Sequence, residues 1–390
     1  MDSRWKIHKF GGSSLADAEC FRRVAGILLD YDETRMGVVV SAMGGMTDAL
    51  LNLVMQAERD DHAFSGELNA IGERYSSTAR ELLEGDALVS VLDAWSNDAE
   101  DLRDVLKAVA LVKSAPQRSR DVVAGYGEIW SARLLASLLG QESPERGGTW
   151  IDAREIITVS TTELGPTVQW SRSQANFDKL VSPDFEGIAV ITGFIASDED
   201  GLQTTLGRNG SDHSAAIFAA LGKATQLTIW TDVDGVMSAD PNRVPEARVI
   251  EQLTYNEAME LAYFGAKVIH PQTLGPAVDN GIPVVIRNSF NPAHPGSRIE
   301  GAPATADPIK GITAISGMAL VNLEGSGMIG VPGTADRLFA ALKEAGVSVT
   351  LISQASSEHS ISIAVPQDVA QRARQVIRDA FAVELVSGQI

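Results

Sequence analysis

Lys9-Phe10-Gly11-Gly12-Ser13-Ser14 sets a lysine at the end of a strand, with two glycines and then a helix behind it. Glycines let a backbone come close to an anion, and a helix N-terminus offers unpaired N–H groups and partial positive charge. That combination suits a phosphate. The lysine precedes the glycines and no Gly-Lys-Ser/Thr follows, so the loop is not a Walker A motif. An ordinary strand-to-helix turn accounts for the same residues.

A second loop, Gly207-Arg208-Asn209-Gly210-Ser211-Asp212, joins a cation to a flexible backbone and to a helix that Gly222 stops. Ser211 or Asp212 is expected to cap that helix. These parts can hold a carboxylate or a transferred phosphoryl group, although a capped helix after a turn also explains them. Thr231-Asp232-Val233-Asp234-Gly235-Val236 follows a strand, Leu227–Trp230. The carboxyl ends of parallel strands are where α/β sheets bind ligands. Asp232 and Asp234 have the chemistry of metal ligands, yet an Asp-Gly turn explains Asp234 equally well. Phosphate oxygens hold much of the metal in phosphoryl transfer, so no direct protein ligand to a metal is expected.

Three further residues carry chemistry. Lys267, in Gly-Ala-Lys-Val, can reach a phosphate from a loop. Glu128 follows Gly127 ahead of a helical stretch, Ile129 to Leu139. It can take a substrate ammonium, or serve only as a favourable charge at a helix start. Thr254 and Glu257 form a capping box and are expected to be structural. The six histidines show no metal-binding spacing, and no Ser-His-Asp arrangement can be inferred.

Elements that alternate between strand and helix must position these loops. Lys6–Phe10, Met36–Ser41, Ile188–Ile195, Leu227–Trp230 and Pro283–Ile286 read as buried strands. Helical spacing covers 15–29, and a long acidic helical region spans about 48–140. Buried strands between helices imply a mainly parallel sheet sandwiched by helices. Residues 291–308, rich in Pro, Gly and Ala, read as a linker. The pattern beyond them is β-α-β-β-α with a further strand near 383–386, a ferredoxin-like small domain. The domains expected are 1–290, 291–308 as linker, and 309–390.

Composition narrows the classes. With 390 residues, two or three domains are expected. The formal net charge of -19 repels nucleic acid and anionic membranes, so neither is an expected partner. A phosphate site must then be built locally. The single cysteine, Cys20, permits no disulfide within the chain and reads as core. The N-terminus leads straight into a strand, and the longest apolar run, Ile188 to Ala196, is too short to span a bilayer; a cytoplasmic protein is expected.

Taken together, KFGGSS (9–14), VVSAMGGMT (39–47), GE (127–128), TGF (192–194), LGRNGSD (206–212), TDVDGV (231–236) and FGAKVIHP (264–271) resemble the aspartokinase branch of the amino-acid kinase family. The likeness is strongest to the aspartokinase portion of bifunctional aspartokinase–homoserine dehydrogenases. The stretch LISQASSEHSISIAVP (351–366) resembles their first ACT domain. The resemblance implies the amino-acid kinase fold followed by an ACT domain, with the second ACT and dehydrogenase modules absent. It implies transfer of the ATP γ-phosphoryl group to the side-chain carboxylate of L-aspartate, with Mg2+ held mainly through the ATP phosphates.

By the same resemblance, Lys9, Asp212 and Arg208 are catalytic. Ser41, Thr47, Glu128, Phe194, Arg208 and Ser211 surround aspartate. Lys9, Gly11, Gly12, Ser13, Thr231, Asp232, Gly235, Met237, Arg243 and Lys267 hold the nucleotide. Gln354 is a contact for a threonine or lysine effector, and a homodimer or homotetramer is implied. Met237 stands where relatives carry an aromatic residue, and Asp240-Pro241-Asn242-Arg243 places the arginine one position late. The alternatives are a weakly catalytic amino-acid sensor working through the ACT domain, or another carboxylate kinase of the family. A dehydrogenase is set aside on the expectation that no nicotinamide-binding G-x-G-x-x-G loop is present.

Overall fold

The structure is a computed structural model that describes residues 4–59, 64–162, 165–263, 271–301 and 309–390. The chain divides into two compact units, Met1–Thr313 and Ala314–Ile390.

The first unit begins with β1 (Lys6–Phe10), α1 (Ala18–Leu29), β2 (Arg35–Val40) and four helices, α2 (Met46–Arg59), α3 (Phe64–Leu82), α4 (Gly85–Val112) and α5 (Gln117–Glu142). β3 (Thr149–Ile151), the hairpin of β4 (Val159–Thr162) and β5 (Gly165–Val168), α6 (Trp170–Leu180) and β6 (Gly187–Thr192) follow. A second hairpin, β7 (Ile195–Ser197) and β8 (Gln203–Thr205), leads to α7 (Gly210–Leu221) and β9 (Gln226–Thr231). The unit closes with β10 (Gln252–Thr254), α8 (Tyr255–Tyr263), α9 (Gly275–Asp279), β11 (Val284–Asn288) and β12 (Ser297–Glu300).

Eight of these strands form one sheet in the order β10-β12-β11-β9-β1-β2-β6-β3, parallel except for the β11–β12 pair. The middle strands are buried over almost their whole length, as strands covered on both faces are; β2 and β6 are mostly apolar, while β1 and β9 also bury His8, Lys9 and Thr228. Helices α5 and α7 pack against them. Phe10 and Trp230 stack at 5.6 Å in the core, and each fully buried aromatic of this kind contributes about 1.5–3 kcal/mol. His8 is buried beside them. Burial, then the charges of Lys6 and Arg287, push it down to about 3, so it stays neutral while its Nδ1 accepts from the Trp230 indole at 3.2 Å. Cys20 is buried on α1.

Several expectations change. Within 291–308, Ser297–Glu300 is a strand of the main sheet, because its N–H and C=O groups pair with β11 on one side and β10 on the other. The division between units falls later, after Thr313. The strand expected over Ile188–Ile195 stops at Thr192, where Phe194 takes a left-handed φ of 67°. The helix expected over 15–29 starts at Ala18, capped by Asp17, whose carboxylate accepts from Cys20 N–H at 2.9 Å. The Thr254–Glu257 box forms as expected, with reciprocal bonds of 2.7 and 3.2 Å.

The second unit runs β13 (Met318–Glu324), α10 (Thr334–Glu344), β14 (Leu351–Gln354), β15 (Ser360–Pro366), α11 (Ala370–Ala380) and α12 (Ala382–Ser387). Its antiparallel sheet has the order β13-β15-β14, and the helices bury Leu338, Leu342, Ala373, Ile377 and Phe381 against it. No strand forms near 383–386. Residues 382–387 form α12 instead, with Val383 and Val386 exposed, and Arg337 holds Glu384 of α12 through two bonds of 2.7 and 2.9 Å. The unit also contains a G-x-G-x-x-G spacing after all, in Gly325, Gly327 and Gly330. It follows a strand paired antiparallel to β15, with no parallel βαβ unit around it, so the context of a dinucleotide loop is missing.

Candidate active site

Parallel pairing sets Phe10 level with both Trp230 and Val40, and Val40 level with Thr192. The carboxyl ends of β9, β1, β2 and β6 therefore lie side by side, and the loops after them share one edge of the sheet.

Lys9, at the end of β1, is 8% exposed, and its Nζ stands 2.6 Å from Oδ1 of Asp212 in the first turn of α7. Neither Ser211 nor Asp212 caps α7. Asn209 takes the cap position in a left-handed conformation, φ 52°, without a side-chain bond to the helix, which leaves the Asp212 carboxylate for Lys9. A second tie joins β2 to the same helix: the hydroxyls of Ser41 and Ser211 are 2.7 Å apart.

Beside these ties lies a cavity of about 320 Å3, lined by Ser41, Thr47, Glu128, Phe194, Arg208 and Ser211 together with Gly12 and residues of the Met43–Gly45 and Gly207–Gly210 loops. Gly193 lets the walls close. A Cβ there would sit 2.7 Å from both the Val40 carbonyl and the Ser211 Cβ.

Glu128 does not open a helix; it sits in the middle of α5, which begins at Gln117. The reading as a charge at a helix start therefore fails. Burial pushes its carboxyl up to about 8, against the opposing effects of the Ala42 N–H and the Lys9 charge. Its Oε2 is buried with no hydrogen-bond partner. A buried, unmatched carboxyl oxygen lining a cavity is suited to an ammonium group.

The hairpin β7–β8 holds Phe194 and Arg208 at its two ends, and α5 braces it. Gln203 Nε2 donates to the Asp121 carbonyl at 3.0 Å, its Oε1 accepts from Arg154 at 2.7 Å, and Arg118 pairs with Asp198 at 2.5 Å.

On the other side of β1, Thr231 ends β9, with its hydroxyl 3.2 Å from the Asp232 carboxylate. Asp234 accepts from the side chains of Asn288 and Asn291 at 2.8 and 3.1 Å, tying the end of β9 to that of β11. That tie accounts for Asp234 without a metal. Among the described residues, no group of three or more His, Cys, Asp or Glu is placed to hold a metal ion. Gly235 lies where a Cβ would meet the Ser297 hydroxyl at 2.5 Å, and Met237 bridges to Val249. Arg243 sits on an exposed turn, its Nε 3.8 Å from the Asp240 carboxylate. Neither it nor Gly235 nor Met237 lines the cavity beside Glu128.

Residues 4–288 match the amino acid kinase family, and residues 321–381 match an ACT domain. The chain belongs to the amino acid kinase family. Over 99% of its length it is 41% identical to the chloroplastic bifunctional aspartokinase/homoserine dehydrogenase 2 of Arabidopsis thaliana, of which it covers 43%. It is 35% identical to the bifunctional aspartokinase/homoserine dehydrogenase of Haemophilus influenzae, of which it covers 47%. The chain thus spans less than half the length of these relatives. The structure of E. coli aspartokinase III in complex with lysine and aspartate superposes with a TM-score of 0.77 at 26% identity, covering 97% of this chain and 83% of that one.

Within this amino acid kinase fold, the structure gathers Lys9, Gly12, Ser41, Thr47, Glu128, Phe194, Arg208, Ser211 and Asp212 around one sheet edge. Gly11 is beside them: a Cβ on it would lie 3.5 Å from Lys9 Nζ. Ser13 lies in a single 3-10 turn, Gly12–Leu15. Lys267 lies outside the described residues. Gln354 belongs to the second unit, where it lines a separate cavity of about 380 Å3 with Gly330, Val331 and Glu358. Asp48 and Asn209 line the first cavity without having been singled out in the sequence. An Asn between glycines is a signal for left-handed backbone; Asp48 looks like any acidic residue in a first helical turn.

Proposed function

We infer that this chain is an ATP-dependent aspartate kinase that forms 4-phospho-L-aspartate, with the unit that ends at Thr313 catalytic and the unit from Ala314 regulatory. The observation that carries this is one cavity that combines a cation for an α-carboxylate (Arg208), a buried carboxyl for an ammonium (Glu128) and the Lys9–Asp212 pair at its margin. The names of the relatives above support the same reading.

Each residue then has a role. Arg208 pairs with the α-carboxylate, Glu128 takes the ammonium, and the hydroxyls of Ser41, Thr47 and Ser211 bond the rest of the amino acid against Phe194. The side-chain carboxylate is already a nucleophile, so no strong general base is needed. Positioning and charge neutralisation carry the step. ATP is the co-substrate and supplies the γ-phosphoryl group. The room beside Lys9, which any Cβ at Gly11 would narrow, fits its phosphates, with N–H groups of Gly12 and Ser13 as further donors. Lys9 bears the charge that develops on the phosphate oxygens, and Asp212 holds Lys9 in place. Thr231, Asp232, Gly235 and Met237 hold the nucleoside, and Arg243 and Lys267 reach the phosphates. Mg2+ is proposed to be held through the phosphates themselves.

The chain is proposed to self-associate as a dimer or tetramer, with Gln354 facing a lysine or threonine effector. Among the described residues no helix is long and apolar enough to cross a membrane.

The test is acyl-phosphate formation trapped as a hydroxamate, with ATP, Mg2+ and a panel of aspartate, glutamate and N-acetylglutamate. Aspartate should be preferred. Lys9→Ala and Arg208→Ala should each lower kcat/KM by about 10²–10³-fold. Preference for another acceptor would move the chain elsewhere in the family. Amino-acid binding without turnover would make it a sensor.

A further inference from the structure

The two glycine loops of the site meet backbone to backbone. A Cβ on Gly12 would lie 3.1 Å from the Ala42 carbonyl and 3.5 Å from the Gly44 Cα; one on Gly44 would lie 3.1 Å from the Gly12 carbonyl. Apart from the methyl of Ala16, 3.4 Å from where a Cβ on Gly44 would stand, the contact is between backbones. Smooth backbone surfaces in van der Waals contact resist separation but oppose sliding only weakly. The first loop borders Lys9, and the second lines the cavity beside Glu128. Any slip between them changes the distance across which a phosphoryl group must pass.

One side chain spans the junction. Arg74, on the exposed side of α3, donates from Nη2 to the carbonyl of Ala16 at 2.9 Å and to that of Gly44 at 2.8 Å. Ala16 ends the first loop and Gly44 sits in the second. The helix behind Arg74 is fixed by a buried face that includes Phe64, Leu68, Ile71 and Tyr75. Arg74 itself buries little and points away from that core, so its two bonds act on the loops rather than on the stability of the helix.

We propose that Arg74 is a positioning residue for phosphoryl transfer, its guanidinium clamping the nucleotide loop and the acceptor loop in a single register. Both bonds leave one nitrogen, Nη2, whose two N–H groups are fixed in the plane of a charged guanidinium; a freely rotating ammonium has no such fixed pair of directions. Arg74 does not line the cavity beside Glu128. Its loss should therefore lower kcat while leaving both KM values nearly unchanged. Small misplacements of reacting groups are costly, so the fall should be about tenfold to a hundredfold.

The experiment compares the full chain with Arg74→Ala and Arg74→Lys, in steady-state kinetics with aspartate and ATP and in amide hydrogen exchange of residues 11–16 and 42–47. The expected result is a kcat loss in Arg74→Ala with KM values within about twofold, partial recovery by added guanidinium, little recovery in Arg74→Lys, and faster exchange in both loops together. Unchanged kcat overturns the proposal. So does a kcat loss that guanidinium does not rescue and that tracks a lower thermal midpoint. The catalytic role rests on the function inferred above, but the clamp does not. If the parent chain phosphorylates no aspartate, that function fails while exchange still decides: joint acceleration of the two loops supports the clamp, and acceleration in neither or only one overturns it.

Discussion

Lys9 Nζ and Asp212 Oδ1 stand 2.6 Å apart, one at the end of β1 and the other in the first turn of α7. Their side chains keep only 11% and 12% exposure, so each charge is largely dependent on the other for compensation. Asp212→Ala leaves the lysine buried and unpaired. It should cost about 3 kcal/mol of stability and abolish most activity, read by urea unfolding and the hydroxamate assay. A variant as stable and active as the parent would show that the pair does not hold Lys9.

Glu128 makes stability depend on pH. Its folded-state value of about 8 lies above the usual 4.5, so the folded chain binds the proton more tightly than the unfolded chain does. The contribution is fully present below about 4.5 and is lost as pH rises to about 8. Relative to Glu128→Gln, the parent should lose on the order of 3 kcal/mol across that window, measured by chemical denaturation at pH 5 and pH 8. Parallel curves for the two proteins would contradict the assigned shift.

The same carboxyl should couple acceptor binding to proton release. Below about 8 it must give up its proton to pair with an ammonium. Calorimetry of aspartate binding at pH 7, in buffers of different ionisation enthalpy, should show net proton release that Glu128→Gln removes. Equal heats in all buffers would contradict this.

Gln203 joins Arg154 to the backbone of α5, and so links the hairpin ends that carry Phe194 and Arg208 to the helix that carries Glu128. Gln203→Leu should cost about 1–2 kcal/mol of stability and raise KM for aspartate several-fold while KM for ATP stays near the parent value. An equal rise in both would place the defect elsewhere.

Gly193 has no room for a side chain. Gly193→Ala should destabilise the first unit by about 1–3 kcal/mol and lower activity, because the added carbon must displace the Val40 carbonyl or the Ser211 Cβ. Thermal unfolding reads the effect directly.

Much of this was legible in local pattern. The apolar runs at Met36–Val40, Ile188–Thr192 and Leu227–Trp230 have the composition of strands buried on both faces, and they form the middle of a parallel sheet. The loops behind them carried the glycines and cations that mark an anion site. Ser297–Glu300 and α12 were misread because their states depend on partners distant in sequence: the first gains two neighbouring strands, and the second is held as a helix by Arg337.

The sequence by itself determined which residue types were on hand: cations behind glycines, hydroxyls, and a carboxylate in a helical run. It could not determine that Glu128 would be sealed inside a long helix with an unmatched oxygen, or that an unremarkable Arg74 on a helix surface would reach two loops. Those facts follow from the strand order β9-β1-β2-β6, from the packing of α5 and α7 on it and from the packing of α3 against α1, α2 and α4. Only that non-local assembly fixes which charges share a low-dielectric space, and the sharing turns ordinary side chains into a site.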